Sequence, residues 1–149
     1  MKYHRINSEL FILNRENFKK HLKKNSLAVF NSNDIMPTNA DGTMKFIQNK
    51  DLFHLSGVDQ EESILVIFPD AYNPEHREIL FLKETNEHIA RWEGAKLDKK
   101  SASECSGIKT VYWLQEFDTV FKNLMSQTEF VYLSSNEHLR NSSEVETRN

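Results

Sequence analysis

Apolar residues fall along this chain in short clusters, each bounded by polar or turn-forming residues. Short runs rich in β-branched and aromatic residues read as strands, whereas apolar residues three and four apart mark one face of a helix. On that basis Leu27-Ala28-Val29-Phe30, Leu52-Phe53-His54-Leu55, Ser63 to Phe68, Glu78 to Lys83, Thr110 to Leu114 and Phe130-Val131-Tyr132-Leu133 are expected strands. The Pro69-Asp70 and Asn73-Pro74 signals between the third and fourth of these predict a hairpin-like return and antiparallel pairing. Phe117, Val120, Phe121, Leu124 and Met125 carry the stripe of an amphipathic helix.

Near the start, Asn14 is a candidate cap for a helix running to about Lys24, with Phe18 and Leu22 on its buried side and Lys19, Lys20, Lys23 and Lys24 solvated. Ser101 to Ser106 predicts a small helix closed by Gly107 in the left-handed conformation. Glu84 to Lys100 reads as a loop interrupted by a helical turn, and Asn31 to Thr43 as a long polar connection of the kind that carries function or motion. Helices between strands at both ends and a hairpin in the middle give an α/β fold, a mixed β-sheet of five to six strands flanked by helices. The polar residues 135–149 read as a linker after a domain at 1–134, or else as an ordinary disordered terminus.

Composition narrows the chemistry. At 149 residues, with 38% hydrophobic positions, the chain has material for one core, and 10 Phe with 4 Tyr and 2 Trp set it apart from a disordered segment. A net charge of −3 provides no field for nucleic acid or an anionic membrane surface. The four glycines, Gly42, Gly57, Gly94 and Gly107, lie too far apart for a phosphate-binding loop or a dinucleotide fingerprint. The longest apolar run, Ile64 to Phe68, is far below the ~20 residues of a membrane span. No signal-peptide core is visible, and the lone Cys105 fits a reducing compartment, so a cytoplasmic location is expected.

Catalytic signals within the residues are weak. The histidines His4, His21, His54, His76, His88 and His138 are scattered and form no two-His helical zinc motif. Cys105 would serve as a nucleophile only where a histidine base meets it in space, and inert packing is the expected role. No Gly-x-Ser-x-Gly elbow is present. Composition and spacing alone give a soluble α/β domain without an assigned activity.

Three ordered blocks go further. Phe46, Gln48-Asn49, Asp51, Phe53, Leu55, Gly57 and the strand Ser63 to Ile67 resemble a segment of the aminopeptidase P amino-terminal domain that reads aromatic, Arg-Gln-Asn-x-Asp-Phe, two aromatics, Leu-Thr-Gly and a hydrophobic strand. Arg91-Trp92-Glu93-Gly94-Ala95-Lys96-Leu97 resembles that family's Trp-x-Gly-x-Arg-Leu block, and Gly107-Ile108-Lys109-Thr110-Val111 its Gly-Val-x-x-Val entry into a late strand. The resemblance covers roughly Asn14 to Leu133 and implies the creatinase amino-terminal fold, which is ribonuclease H-like.

In that family, which includes Xaa-Pro aminopeptidases, prolidase and creatinase, this domain precedes a pita-bread catalytic domain. There two Asp, one His and two Glu hold two divalent metals, manganese being the expected pair, which supply the hydroxide that attacks the scissile carbonyl. The resemblance therefore implies no catalytic or metal-binding residue and no bound cofactor in this segment. It implies a parent metallopeptidase that removes an N-terminal residue preceding proline. It also implies a domain that builds a homo-oligomer and closes the substrate mouth, with its own catalytic domain, neighbouring subunits and a peptide bearing proline at its second position as partners.

Trp92 matches the family's Trp that reaches toward a neighbour's substrate site; a core or loop-packing role is the alternative. Departures are Ile47 for Arg, His54 for an aromatic, Ser56 for Thr, Lys96 for Arg, and no Pro in Asp59-Gln60-Glu61-Glu62. Loss of Arg at positions 47 and 96 removes any contact that used a bidentate guanidinium. A different class of role is a peptide- or protein-binding module on a pita-bread relative that has lost peptidase activity.

Overall fold

The computed structural model describes residues 6–34, 42 and 45–133. Its elements are α1 (Ser8–Lys19), β1 (Ser26–Asn31), α2 (Lys50–Ser56), β2 (Ile64–Ile67), β3 (Glu78–Leu82), α3 (Glu87–Glu93), α4 (Lys99–Ser106), β4 (Thr110–Trp113), α5 (Phe117–Met125) and β5 (Phe130–Leu133), with short 3-10 turns at Pro74–His76 and Leu114–Glu116. The strands form one sheet in the order β4-β3-β2-β1-β5. β2 runs antiparallel to both β1 and β3, while β4 lies parallel to β3 and β5 parallel to β1. The sheet is thus mixed and five-stranded, and the hairpin expected around Pro69 to Glu75 is present as the β2–β3 pair.

Both faces of the central strands are covered, which is why these strands read as continuous apolar runs. On one face Ala28, Phe30, Leu65, Ile67, Leu80, Leu82 and Val111 pack against Leu52 and Leu55 of α2 and Ala102 of α4, with Phe18 of α1 at the margin. On the other, Leu27, Val29, Val66, Phe68, Ile79 and Phe81 meet Leu124, Phe117, Val120 and Phe121 of α5. The α5 stripe is as expected except for Met125, which is 42% exposed. Each fully buried Leu or Ile here contributes roughly 2 kcal/mol by removal from water.

Two expectations are corrected. The first helix begins at Ser8 rather than after Asn14. Asn7 caps it by accepting from the Glu9 amide at 3.0 Å, and the helix stops at Lys19, before the turn that carries Asn25 at φ 60. The Leu10 to Leu13 cluster therefore lies inside the helix, and Lys20, Lys23 and Lys24 lie beyond it. The expected strand at Leu52 to Leu55 is instead α2. Asn49 caps its amides at Asp51 and Leu52, and Gly57 closes it at φ 71. Burial of Leu52, Leu55 and Ser56 beside an exposed His54 follows the helical period, which outweighs the β-propensity of Phe53. By contrast, α4 ends at Gly107 with φ 75, as the sequence predicts. Most of the polar connection at 31–43, including Pro37, and all of 134–149 lie outside the described residues.

Arg15 joins these parts. Its side chain is fully buried; Nη1 donates to the Leu55 carbonyl at 2.8 Å and the Ser106 carbonyl at 2.7 Å, and Nε pairs with Glu78 at 2.8 Å. One guanidinium thereby caps the ends of α2 and α4, where carbonyls lack helical partners. The two ends share a sequence device. Ser56 and Ser106 each donate back to the carbonyl four residues earlier and each accept from the amide two residues on, at Val58 and Ile108. Burial opposes the charge of Glu78, but Arg15 and Lys19, the latter at 3.0 Å, more than offset it and hold this carboxyl below the ordinary range.

Candidate functional site

The only residue the sequence offers as substrate-lining is Trp92, and it lies near the end of α3. Asn86 caps this helix by accepting from the Ile89 amide at 2.8 Å, and Gly94 ends it at φ 89 and ψ 164, a combination essentially reserved for glycine. None of the α3 residues is buried, and the indole of Trp92 is 81% exposed. The burial that a core-packing role would require is not found within this domain. Indole is large, rigid and amphipathic, and it loses little entropy on docking, so an exposed one suits a contact with another surface. A shallow depression of about 470 Å³ on the same helix is lined by Asn86, Glu87, His88 and Arg91 and does not include Trp92.

Polar ties hold this segment to the turn before β2. Lys83 reaches Glu93 at 3.5 Å and Glu62 at 3.6 Å, Lys96 pairs with Glu61, and the Leu97 amide donates to Gln60 Oε1 at 2.9 Å. Burial works against the Glu61 charge, but the Lys96 hydrogen bond and charge leave it below the ordinary carboxylate range. The departure from Arg at position 96 thus keeps a cation in an ion pair inside the domain. In the sequence Gln60 and Glu61 stand out only as part of the turn that lacks Pro, because their partners lie 37 and 35 residues away.

The other candidates are dispersed. Cys105 is half-buried on α4, where its thiol donates to the Gly57 carbonyl at 3.3 Å. His54, His21 and His88 are exposed, and His76 sits 3.2 Å from the Tyr112 hydroxyl. His4 and His138 lie outside the described residues. Among the described residues no three His, Cys, Asp or Glu side chains converge into a set able to hold a metal ion. The described residues therefore do not fit a dinuclear site. No helix among the described residues is long and apolar enough to cross a membrane.

Comparison with known proteins accords with this arrangement. Residues 11–132 match the family model "Aminopeptidase P, N-terminal domain". The human and mouse Xaa-Pro aminopeptidase 3 proteins are each 28% identical over 103 residues, which is 68% of this chain and only 19% of their own length. Among solved structures, Pseudomonas aeruginosa aminopeptidase PepP superposes with a TM-score of 0.81 at 18% identity, covering 93% of this chain and 31% of that one. A Bacillus anthracis protein described as a putative aminopeptidase P gives 0.82 at 22% identity, covering 97% and 33%. The two structures establish the fold, and the family match over most of the chain establishes kinship: this chain belongs to the aminopeptidase P N-terminal domain family.

Proposed function

We propose that this chain is the non-catalytic amino-terminal domain of an Xaa-Pro aminopeptidase, and that it helps close the substrate site through Trp92. The observation that carries the reading is the 81% exposed indole on a helix with no buried residue, at the position of the family's Trp-x-Gly block. Hydrolysis is assigned to a catalytic domain carrying two divalent metals, with manganese as the expected ion. Further parts of the proposal are assembly with neighbouring subunits, a peptide substrate with proline second and a cytoplasmic location.

The test is hydrolysis of an Xaa-Pro peptide with added manganese, comparing residues 1–149 with a protein that joins them to the catalytic domain. The isolated chain should be inactive and the longer protein active. Turnover by residues 1–149 alone would overturn the assignment. An inactive longer protein that still binds peptide would favour the alternative, a binding module on a relative that has lost its peptidase.

A further inference from the structure

We infer that the turn Gln60-Glu61-Glu62 is the mount that fixes α3, with Gln60 and Lys96 as positioning residues for Trp92. Apolar packing contributes little to α3: none of its residues is fully buried, Ile89 and Ala90 are half-buried, and beyond the helix Leu97 packs against the core. Its polar ties converge on three consecutive residues. Glu62 shares Lys83 with Glu93 at the end of the helix, Glu61 pairs with Lys96, and Gln60 Oε1 accepts the Leu97 amide at 2.9 Å. All three attachments, at Glu93, Lys96 and Leu97, follow Trp92 within five residues and fix the C-terminal end of α3 from which the indole projects.

The turn is itself rooted in the core. Gln48 Nε2 donates to the carbonyls of Val58 and Gln60, each at 2.9 Å, and the Ser63 hydroxyl donates to the same Gln60 carbonyl at 2.9 Å. Val58 and Ser63 are buried, so movement of the turn would disturb the sheet. Glu62 takes φ 54, a left-handed conformation that non-glycine residues adopt only when their surroundings demand it. Gln60 is only 6% exposed, and its Nε2 has no hydrogen-bond partner among the described residues. An amide buried with one unmatched donor is costly, and an aliphatic side chain would fill the space without that cost. What the amide adds is the acceptor that holds Leu97.

The mechanical claim stands without the proposed function; its consequence for catalysis rests on the Trp92 reading. The test uses the chain with Trp113→Phe, which leaves Trp92 as the one indole of the two in the sequence. In that background Lys96→Met and Gln60→Leu, made singly, should enlarge the fast component of the Trp92 fluorescence anisotropy decay. They should also speed hydrogen exchange at the Gly94 and Leu97 amides roughly tenfold, as expected for the loss of one such interaction. Exchange at Leu80 in β3 should stay unchanged, and Lys96→Arg, which keeps the cation, should match the parent. Unchanged anisotropy and exchange in both variants would overturn the mount, as would Lys96→Arg behaving like Lys96→Met. Should Gln60→Leu also accelerate Leu80, Glu61→Gln supplies the same comparison without altering the buried amide. In a full-length enzyme, a loosened α3 with unchanged turnover would refute the Trp92 reading and leave the mount intact.

Discussion

Among the described residues three helices end on glycine, and they end in two different ways. At the ends of α2 and α4, Gly57 and Gly107 adopt φ 71 and 75, their preceding serines bond to the backbone, and buried Arg15 takes a carbonyl from each. A β-carbon would lie 2.3 Å from the Phe11 ring at Gly57 and 2.6 Å from Ile12 at Gly107. At Gly94 a β-carbon would meet nothing within 4 Å, and the helix before it is unburied and held by polar ties. The first two ends serve the core, whereas the third presents a side chain outward. The same residue type thus meets a steric requirement in one region and only a backbone requirement in the other.

Arg15 offers the hardest way to break the framework. Arg15→Met should destabilise the domain by about 3–5 kcal/mol, because it leaves Glu78 with Lys19 alone and two buried helix-end carbonyls unpaired. Chemical denaturation checks this, and a loss near zero would show that the shared cap is dispensable. Gly57→Ala should cost about 2–4 kcal/mol, since strain at positive φ adds to a clash with the ring of Phe11, which is only 3% exposed. Gly107→Ala should cost less, because Ile12 is 39% exposed and can swing aside. Equal losses would argue that conformation alone sets the penalty.

Glu78 sharpens the same comparison through pH. Its carboxyl is held below the ordinary range in the folded state by Arg15 and Lys19 against the effect of burial. That stability is present above the unfolded-state pKa and is lost as pH falls through the lower folded value. Denaturation midpoints should therefore drop on acidification through and below the ordinary carboxylate range, and Glu78→Gln should flatten that acid limb. An acid limb identical in the variant would assign the pH dependence elsewhere.

Gly94→Ala meets strain of about 1–3 kcal/mol at a backbone conformation other residues avoid. Because no α3 residue is fully buried and exposed ion pairs tie its end, the strain should relax locally. Hydrogen exchange should rise across 87–97 with the global midpoint shifted by less than about 1 kcal/mol, a division expected where local opening is easier than global unfolding. A loss matching that of Gly57→Ala would show α3 to be part of the framework.

Much of this was legible in the sequence. The four-residue apolar runs of β1, β2 and β3 face helices on both sides, so their burial leaves a continuous apolar signal. α5 shows its helical stripe directly. The α1 boundary was less legible: the cap lies at Asn7 rather than Asn14, and packing of Phe11 against Phe53 places the Leu10 to Leu13 cluster inside the helix. At α2, a seven-residue helix contains too few turns to separate its period from that of a strand. Arg15 gave no signal, since its partners stand 40, 63 and 91 residues away. Trp92 was found by resemblance, but its exposure and its mount follow from long-range contacts.

The most direct measurement is Trp92→Ala in a full-length enzyme, with Xaa-Pro hydrolysis and thermal unfolding followed on the same samples. Removing an exposed side chain should change stability by no more than about 0.5 kcal/mol. The account predicts impaired turnover or substrate binding at that near-unchanged stability. A large fall in thermal stability with kinetics unchanged would contradict it and return Trp92 to the framework.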